Sequence, residues 1–267
     1  MFPVLLDLKV VQVPAYGFFV ALGYLVSILW LKASRSEMGL SDDQFWFVIY
    51  AVFIGALVGG KLMFLAVEWR RLLSGELRSF ADLRYGFVFF GGFFGACLAG
   101  LYCRRRFNLD YLATADHFGP ALALGHAVGR LGCLASGCCY GRPTGLPWGV
   151  RLGSHPLSTT PPELWGVPLH PAQLYEAAGN LVIAVLLIKA VLPRIRRGGL
   201  APGAAFLGYV ALYSCLRFGV EFFRADDRGF LLGLSVAQWT ALACLTAALV
   251  GFGVIRRTPP RRGEGGS

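Results

Sequence analysis

Residues 45–67 read FWFVIYAVFIGALVGGKLMFLAV, and Lys61 is the one charge in the stretch. At a rise of about 1.5 Å per residue, such a run makes a helix of roughly 34 Å, enough to cross a hydrocarbon core of about 30 Å. Working outward, six more stretches share its apolar character: 14–31, 86–103, 111–134, 171–192, 200–222 and 232–254. Of the 267 residues, 56% are hydrophobic and 15% charged, whereas about a quarter of a soluble domain is charged. This leaves no room for a large aqueous domain. It predicts an all-α polytopic membrane protein of about seven transmembrane helices with an irregular cap on its outer face.

The net charge of +10 gathers in short arginine clusters between apolar runs, such as Arg104 to Arg106. That pattern suits a membrane-facing asymmetry and excludes a nucleic-acid surface as its main use. With the amino end outside, the inner connections carry twelve lysines and arginines and the outer ones nine. The bias favours a multi-pass chain with an outside amino end and a cytoplasmic carboxyl end. The first run follows Asp7 and Lys9 without a basic start or a small-residue cleavage site, and reads as a retained span. Two outer connections are long, 68–85 and 135–169, and the second is rich in proline and carries Trp148 and Trp165. It is the expected cap. One membrane domain over 1–257 and a disordered basic tail over 258–267 complete the layout. The absence of an internal repeat weighs against an inverted-repeat transporter.

Ionisable groups inside a span are costly and default to functional candidates. The fourth span holds Asp116, His126 and Arg130, with His117 near its start. His126 and Arg130 are four apart, hence on one face, and Cys133 continues that stripe. Gly125, Gly129 and Gly132 let a second backbone or a lipid headgroup come close. Tyr213, Arg217, Glu221 and Arg224 form a second stripe, in which Arg217 and Glu221 make an i,i+4 couple. A guanidinium fixed in this way suits a phosphate, which it grips with two parallel hydrogen bonds. The competing reading is a structural ion pair between helices. A third set opens the fifth span: His170 at its boundary, then Gln173, Glu176 and Asn180 on one face. So near a span end, Asn180 is expected in solvent. His170 beside Glu176 is a possible proton-handling pair, and His155 lies in the cap.

The cysteines Cys133, Cys138 and Cys139 lack the paired C-x-x-C units of a structural zinc site. Their spacing leaves reduced packing, a disulfide from Cys133 to either neighbour, and a metal or catalytic use all open.

Taken together these residues resemble one family, the phosphatidylglycerol–prolipoprotein diacylglyceryl transferases of bacterial inner membranes. The resemblance rests on Tyr16-Gly17, on Gly91-Gly92 with Gly95, and on Asp116 and Pro120 leading to Gly129-Arg130-Leu131-Gly132. It continues through Gly141-Arg142, His170-Pro171-x-Gln173-Leu174-Tyr175-Glu176, and Tyr213 with Arg217, Glu221, Phe222, Phe223 and Arg224. It implies transfer of the diacylglyceryl group of phosphatidylglycerol to the cysteine thiol of a lipoprotein signal peptide, with glycerol phosphate leaving.

On this reading the substrates are phosphatidylglycerol and prolipoprotein signal peptides. Arg130 and Arg217 hold the phosphate, Glu221 orients Arg217, and Tyr16 and Tyr213 donate to the headgroup. Gly129, Gly141, Gln173, Glu176 and Arg224 complete the substrate site, and His126 or His170 supplies proton transfer. No metal or organic cofactor is required, because alkyl transfer to a thiolate needs a base, alignment and a stabilised leaving group.

The chain departs from the family pattern at three places. Members usually carry a histidine just before the Gly-Gly of the third span, where this chain has Phe90, so no base role carries over to that position. Cys133 stands where an asparagine usually follows Gly-Arg-x-Gly, and Ser136 and Cys138 replace a downstream asparagine and glutamate. The alternatives from other classes are a lipid or small-anion transporter, and a catalytically silent homologue that binds lipid or signal peptide.

Overall fold

The computed structural model describes residues 4–7, 12–74, 87–154, 158, 160–226 and 229–257. The tail 258–267, His155, and the charges Lys9, Arg78, Arg84 and Arg228 lie outside the described residues. The chain is mostly helical, with long helices α1 (Ala15–Ala33), α2 (Asp42–Val67), α3 (Phe89–Phe107), α4 (Tyr111–Ser136), α5 (Ala172–Leu186, continuing to Arg196), α6 (Ala204–Glu221) and α7 (Val236–Arg257). Among the described residues, four of them, α1, α2, α5 and α7, are long and apolar enough to cross a membrane. The others are diluted by polar groups: Arg104 to Arg106 in α3, Asp116, His117, His126 and Arg130 in α4, and Arg217 and Glu221 in α6.

Local chemistry sets the helix ends. The helix α2 starts at Asp42, ahead of its apolar run, because Ser41 and Gln44 form a reciprocal capping box: Gln44 N donates to Ser41 Oγ at 3.3 Å and Ser41 N to Gln44 Oε1 at 3.0 Å. Arg35 pairs with Asp42 just outside. The helix α5 runs through a π-helical turn, Leu187–Val191, just before Pro193. Proline lacks an N–H and crowds the preceding turn, and the wider turn accommodates it.

The chain divides into two compact units, Lys32–Thr114 and the remainder. Inside the first, α2 and α3 meet along glycines. A Cβ at Gly59 would strike the Gly91 carbonyl, and one at Gly95 the Gly55 carbonyl. Without a hydrophobic drive between helices in lipid, such backbone approach provides van der Waals contact in its place.

In the second unit α1 lies on α4, where Ser27 Oγ reaches Ala121 O at 2.7 Å and Trp30 Nε1 donates to His117 O at 3.1 Å. The apolar core joins Ala123 of α4, Ile183, Ala184 and Leu187 of α5, and Ala205 and Tyr209 of α6. Asp116, buried in α4, accepts from three backbone amides at the start of α6: Gly203 and Ala205 at 2.7 Å and Phe206 at 3.1 Å. It thus caps another helix and complements the positive end of its dipole. The described residues of the cap connection 135–169 hold pairing that its turn-rich sequence does not predict: β1 (Val150–Arg151) pairs antiparallel with β2 (Pro168–Leu169), and Thr160 Oγ1 donates to Gly137 O at 2.6 Å.

An added methyl therefore has opposite consequences at two helical glycines. Gly59→Ala should destabilise the detergent-solubilised protein by about 1–3 kcal/mol through overpacking. Gly253→Ala, with open space at its Cβ position, should leave the thermal midpoint unchanged or raise it slightly. Equal midpoints for the two variants would show that the glycine contact of α2 and α3 does not hold that pair together.

Candidate active site

The site is assembled around a carboxylate. Glu176, in the second turn of α5, has no exposed surface. Arg130 Nη2 from α4 donates to its Oε1 at 2.7 Å, and Tyr213 Oη from α6 donates to the same oxygen at 2.9 Å. Arg224 Nη1 stands 3.8 Å from Oε2. Three segments of the second unit thus converge on one buried charge. Breaking such a pair by removing one partner costs about 3–5 kcal/mol, since the other charge is left uncompensated.

Arg224 is itself held in a fork by Asp226, through Nε to Oδ1 and Nη2 to Oδ2, both 2.8 Å. Burial works against its charge, but Asp226 and then Cys139 outweigh it, so its pKa lies above the ordinary arginine value. Arg142 Nε donates to the Arg224 carbonyl at 2.9 Å, and Gly141 bridges to Arg224. Gly141 has no room for a side chain, because a Cβ would meet the His170 backbone and the Phe223 carbonyl.

Arg217 and Glu221 form the second ion pair, Nη1 to Oε2 at 2.5 Å, both side chains nearly buried. Glu221 is fixed in turn by Ser235 Oγ, which donates to Oε1 at 2.7 Å. Arg217 Nη2 is buried with no hydrogen-bond partner among the described residues, and so is Glu176 Oε2. An unpaired buried donor costs about 1–3 kcal/mol, more when charged, which a ligand oxygen would recover. Tyr213 shares the α6 stripe with Arg217 and donates to the same Glu176 oxygen as Arg130, and so links the two stripes.

The histidines are placed differently. His126 Nδ1 meets Tyr209 Oη at 2.8 Å, with the Tyr213 ring 5.1 Å away. His170 sits where the cap meets α5, its Nδ1 3.2 Å from Tyr175 Oη, which also accepts from Trp148 Nε1 at 2.9 Å. The possible pairing of His170 with Glu176 is not made: His170 turns to Tyr175, and Glu176 to Arg130 and Tyr213. Gln173 Nε2 donates to Cys138 O at 2.8 Å. Asn180, expected in solvent, is fully buried, with Nδ2 donating to Glu176 O at 2.9 Å. It shares its face of α5 with Ile183, Ala184 and Leu187, which pack in the core with residues of α4 and α6. Gly129 has open space at its Cβ position, and Tyr16 is exposed on α1 with its backbone close to Gly132. Phe90 is exposed and belongs to the other unit.

Sequence reasoning missed Tyr209, Asp226 and Ser235. Tyr209 was legible, since it precedes Tyr213 by four and extends that stripe. Asp226 follows Arg224 by two, a spacing that carries no helical signal. Ser235 meets Glu221 only because the β3 (Phe230–Leu231) and β4 (Leu234–Ser235) hairpin turns the chain back.

The sequence matches a family model described as prolipoprotein diacylglyceryl transferase over residues 3–254. A phosphatidylglycerol–prolipoprotein diacylglyceryl transferase of Clostridium tetani is 32% identical over 257 residues, covering 96% of this chain and 98% of the relative. The enzyme of the same name from Geobacter sulfurreducens is 35% identical over 236 residues, 86% of each chain. That from Nitrosomonas europaea is 31% identical over 258 residues, 92% of this chain and 87% of the relative. By the extent of these matches, the chain belongs to the prolipoprotein diacylglyceryl transferase family.

Proposed function

We propose that this chain transfers the diacylglyceryl group of phosphatidylglycerol to the thiol of a lipoprotein signal-peptide cysteine. Glycerol phosphate is released and a thioether forms. The observation that carries this reading is the two buried ion pairs, Arg130 with Glu176 and Arg217 with Glu221, with Arg217 Nη2 left without a hydrogen-bond partner among the described residues. The acceptor sulfur attacks the glyceryl carbon, the carbon–oxygen bond breaks, and its electron pair leaves on the phosphate oxygen. Arg217 and Arg130 bind that phosphate and stabilise the developing charge. Glu221 and Ser235 hold Arg217 in register, and Tyr213 donates to the headgroup. Gly129 leaves room for the headgroup beside Arg130, and Gln173, Gly141 and Arg224 support the wall below the cap. Tyr16 donates from α1.

We assign the base to His126. With Nδ1–H donating to Tyr209 Oη, its Nε2 carries the lone pair. His170 orients the headgroup or the signal peptide. The membrane domain covers 1–257, and all seven long helices cross the bacterial inner membrane, with the amino end and the cap outside and the carboxyl end cytoplasmic.

Arg130→Lys and Arg217→Lys keep the charge and lose the planar fork. With phosphatidylglycerol and a signal peptide in detergent or vesicles, mass spectrometry should show diacylglyceryl transfer by the parent protein. Each lysine variant should fall by about 10²–10³-fold while still inserting. No transfer by the parent protein overturns the function, and near-parental rates in both variants overturn the clamp.

For the base, transfer by His126→Gln and His170→Gln is compared across pH. His126→Gln should lose the rate and its pH dependence. If it keeps both while His170→Gln loses them, the base lies at the cap boundary.

The orientation is tested by a cysteine at Ser158 in a background without native thiols. An impermeant reagent should label it from outside, and labelling only from the cytoplasm would invert the topology.

A further inference from the structure

Cys133, at the end of α4, and Cys138 and Cys139, just beyond it, bring their sulfurs within 4.8 Å of one another. A zinc ion at about 2.3 Å from each of three thiolates in tetrahedral geometry needs sulfurs about 3.8 Å apart. A small closure satisfies that.

The turn that gathers them is built for the purpose. Gly137 and Cys139 both take left-handed backbone conformations, φ 67° and 60°, which is uncommon for a residue with a Cβ and must be compensated by its surroundings. The compensation is visible. Cys138 N donates to Cys133 O at 3.0 Å, Thr160 Oγ1 donates to Gly137 O, and Gln173 Nε2 holds the Cys138 carbonyl. Cap loop and α5 therefore fix the turn from two sides.

The surroundings suit anionic sulfur. Arg130 Nη1 lies 3.8 Å from Cys133 Sγ and 3.6 Å from Cys139 Sγ. The Arg224 guanidinium lies near Cys139 as well. Guanidiniums cannot ligate a metal, but they donate to coordinating sulfurs as outer groups do. Zinc with three thiolates carries a net charge of about −1, which two adjacent guanidiniums complement. Among the described residues no fourth histidine, cysteine or carboxylate joins the cluster. Structural zinc sites close with four protein ligands, whereas sites that do chemistry keep three and leave one position open.

We propose that Cys133, Cys138 and Cys139 bind one zinc ion whose open fourth position takes the thiol of the acceptor cysteine. The ligand class is a thiolate, and the proposal rests on the transferase reading above. Coordination deprotonates the incoming thiol, and its proton passes to the base assigned above. The zinc-bound sulfur then forms the S–C bond as the C–O bond to phosphate breaks. The thioether product is neutral and a weaker ligand, and departs. Arg130 touches both the sulfurs and Glu176, so acceptor site and phosphate clamp adjoin.

The test uses the full chain, purified reduced in detergent without chelator and then incubated with zinc. Metal analysis should find about one zinc per chain, falling at least tenfold in Cys133→Ser, Cys138→Ser and Cys139→Ser and unchanged in Cys215→Ser. The cobalt(II)-exchanged protein should show thiolate-to-metal charge-transfer absorption. That band should shift with a signal peptide carrying its cysteine and not with the Cys→Ser peptide. Metal-free parent protein with all three thiols titratable, or with a disulfide among them, overturns the site. Bound cobalt indifferent to the cysteine peptide overturns the open position. Diacylglyceryl transfer by metal-free protein defeats the zinc proposal and leaves the transferase reading intact; zinc binding without any transfer does the reverse.

Discussion

A carboxylate with no access to solvent must be paired, because an isolated ion in a low-dielectric interior costs several kcal/mol even after relaxation. Glu176 is such a group, and much of the second unit can be understood as meeting its demand. Arg130 arrives from α4, Tyr213 from α6, and Arg224 from the segment after α6. Each comes from a different part of the chain, so satisfying one charge fixes the rotation of three helices about their axes. The price is paid elsewhere: Arg130 would lose its carboxylate partner if α4 or α5 turned, and that couples the shape of the site to the packing of the core.

The helix α6 is fastened at both ends by side chains from outside it. Asp116 receives the amides of its first turn, and Ser235 from the following hairpin holds Glu221 in its last. Between those anchors lies the stripe of Tyr209, Tyr213 and Arg217, which is therefore presented at a set height and angle. Rigid support of this kind holds the Arg217 guanidinium in one orientation, with little freedom to reorganise. The glycine contacts of α2 and α3 show the complementary strategy in the other unit, where backbone packs directly on backbone.

The three helices that fall short of the apolar criterion for a membrane span include both helices richest in site residues, α4 and α6. The same substitutions explain both facts. A helix that carries His126 and Arg130, or Arg217 and Glu221, loses hydropathy in proportion to the chemistry it hosts. Its polar face is stable only where it is buried with partners, as Asn180 illustrates: a residue that reads as solvated in α5 is fully buried and bonded to the Glu176 carbonyl.

The amino-acid sequence by itself determined the helical architecture, because apolar runs of span length and their punctuation are local properties. It also determined which side chains share a helix face: Arg217 with Glu221, and Gln173 with Glu176 and Asn180, follow from a period of 3.6 residues alone. The family motifs extended that reading to the chemistry. Partnerships between elements were decided only by tertiary structure. Nothing local pairs Arg130 with Glu176, turns His170 to Tyr175 and away from Glu176, or assigns Asp116 to the amides of α6. Nor does the spacing of Cys133, Cys138 and Cys139 reveal that a left-handed turn at Cys139 gathers three sulfurs beside two arginines. The reason is physical: periodicity fixes the direction of a side chain about its own helix axis, whereas the helix it faces is chosen by burying every charge with a partner at once.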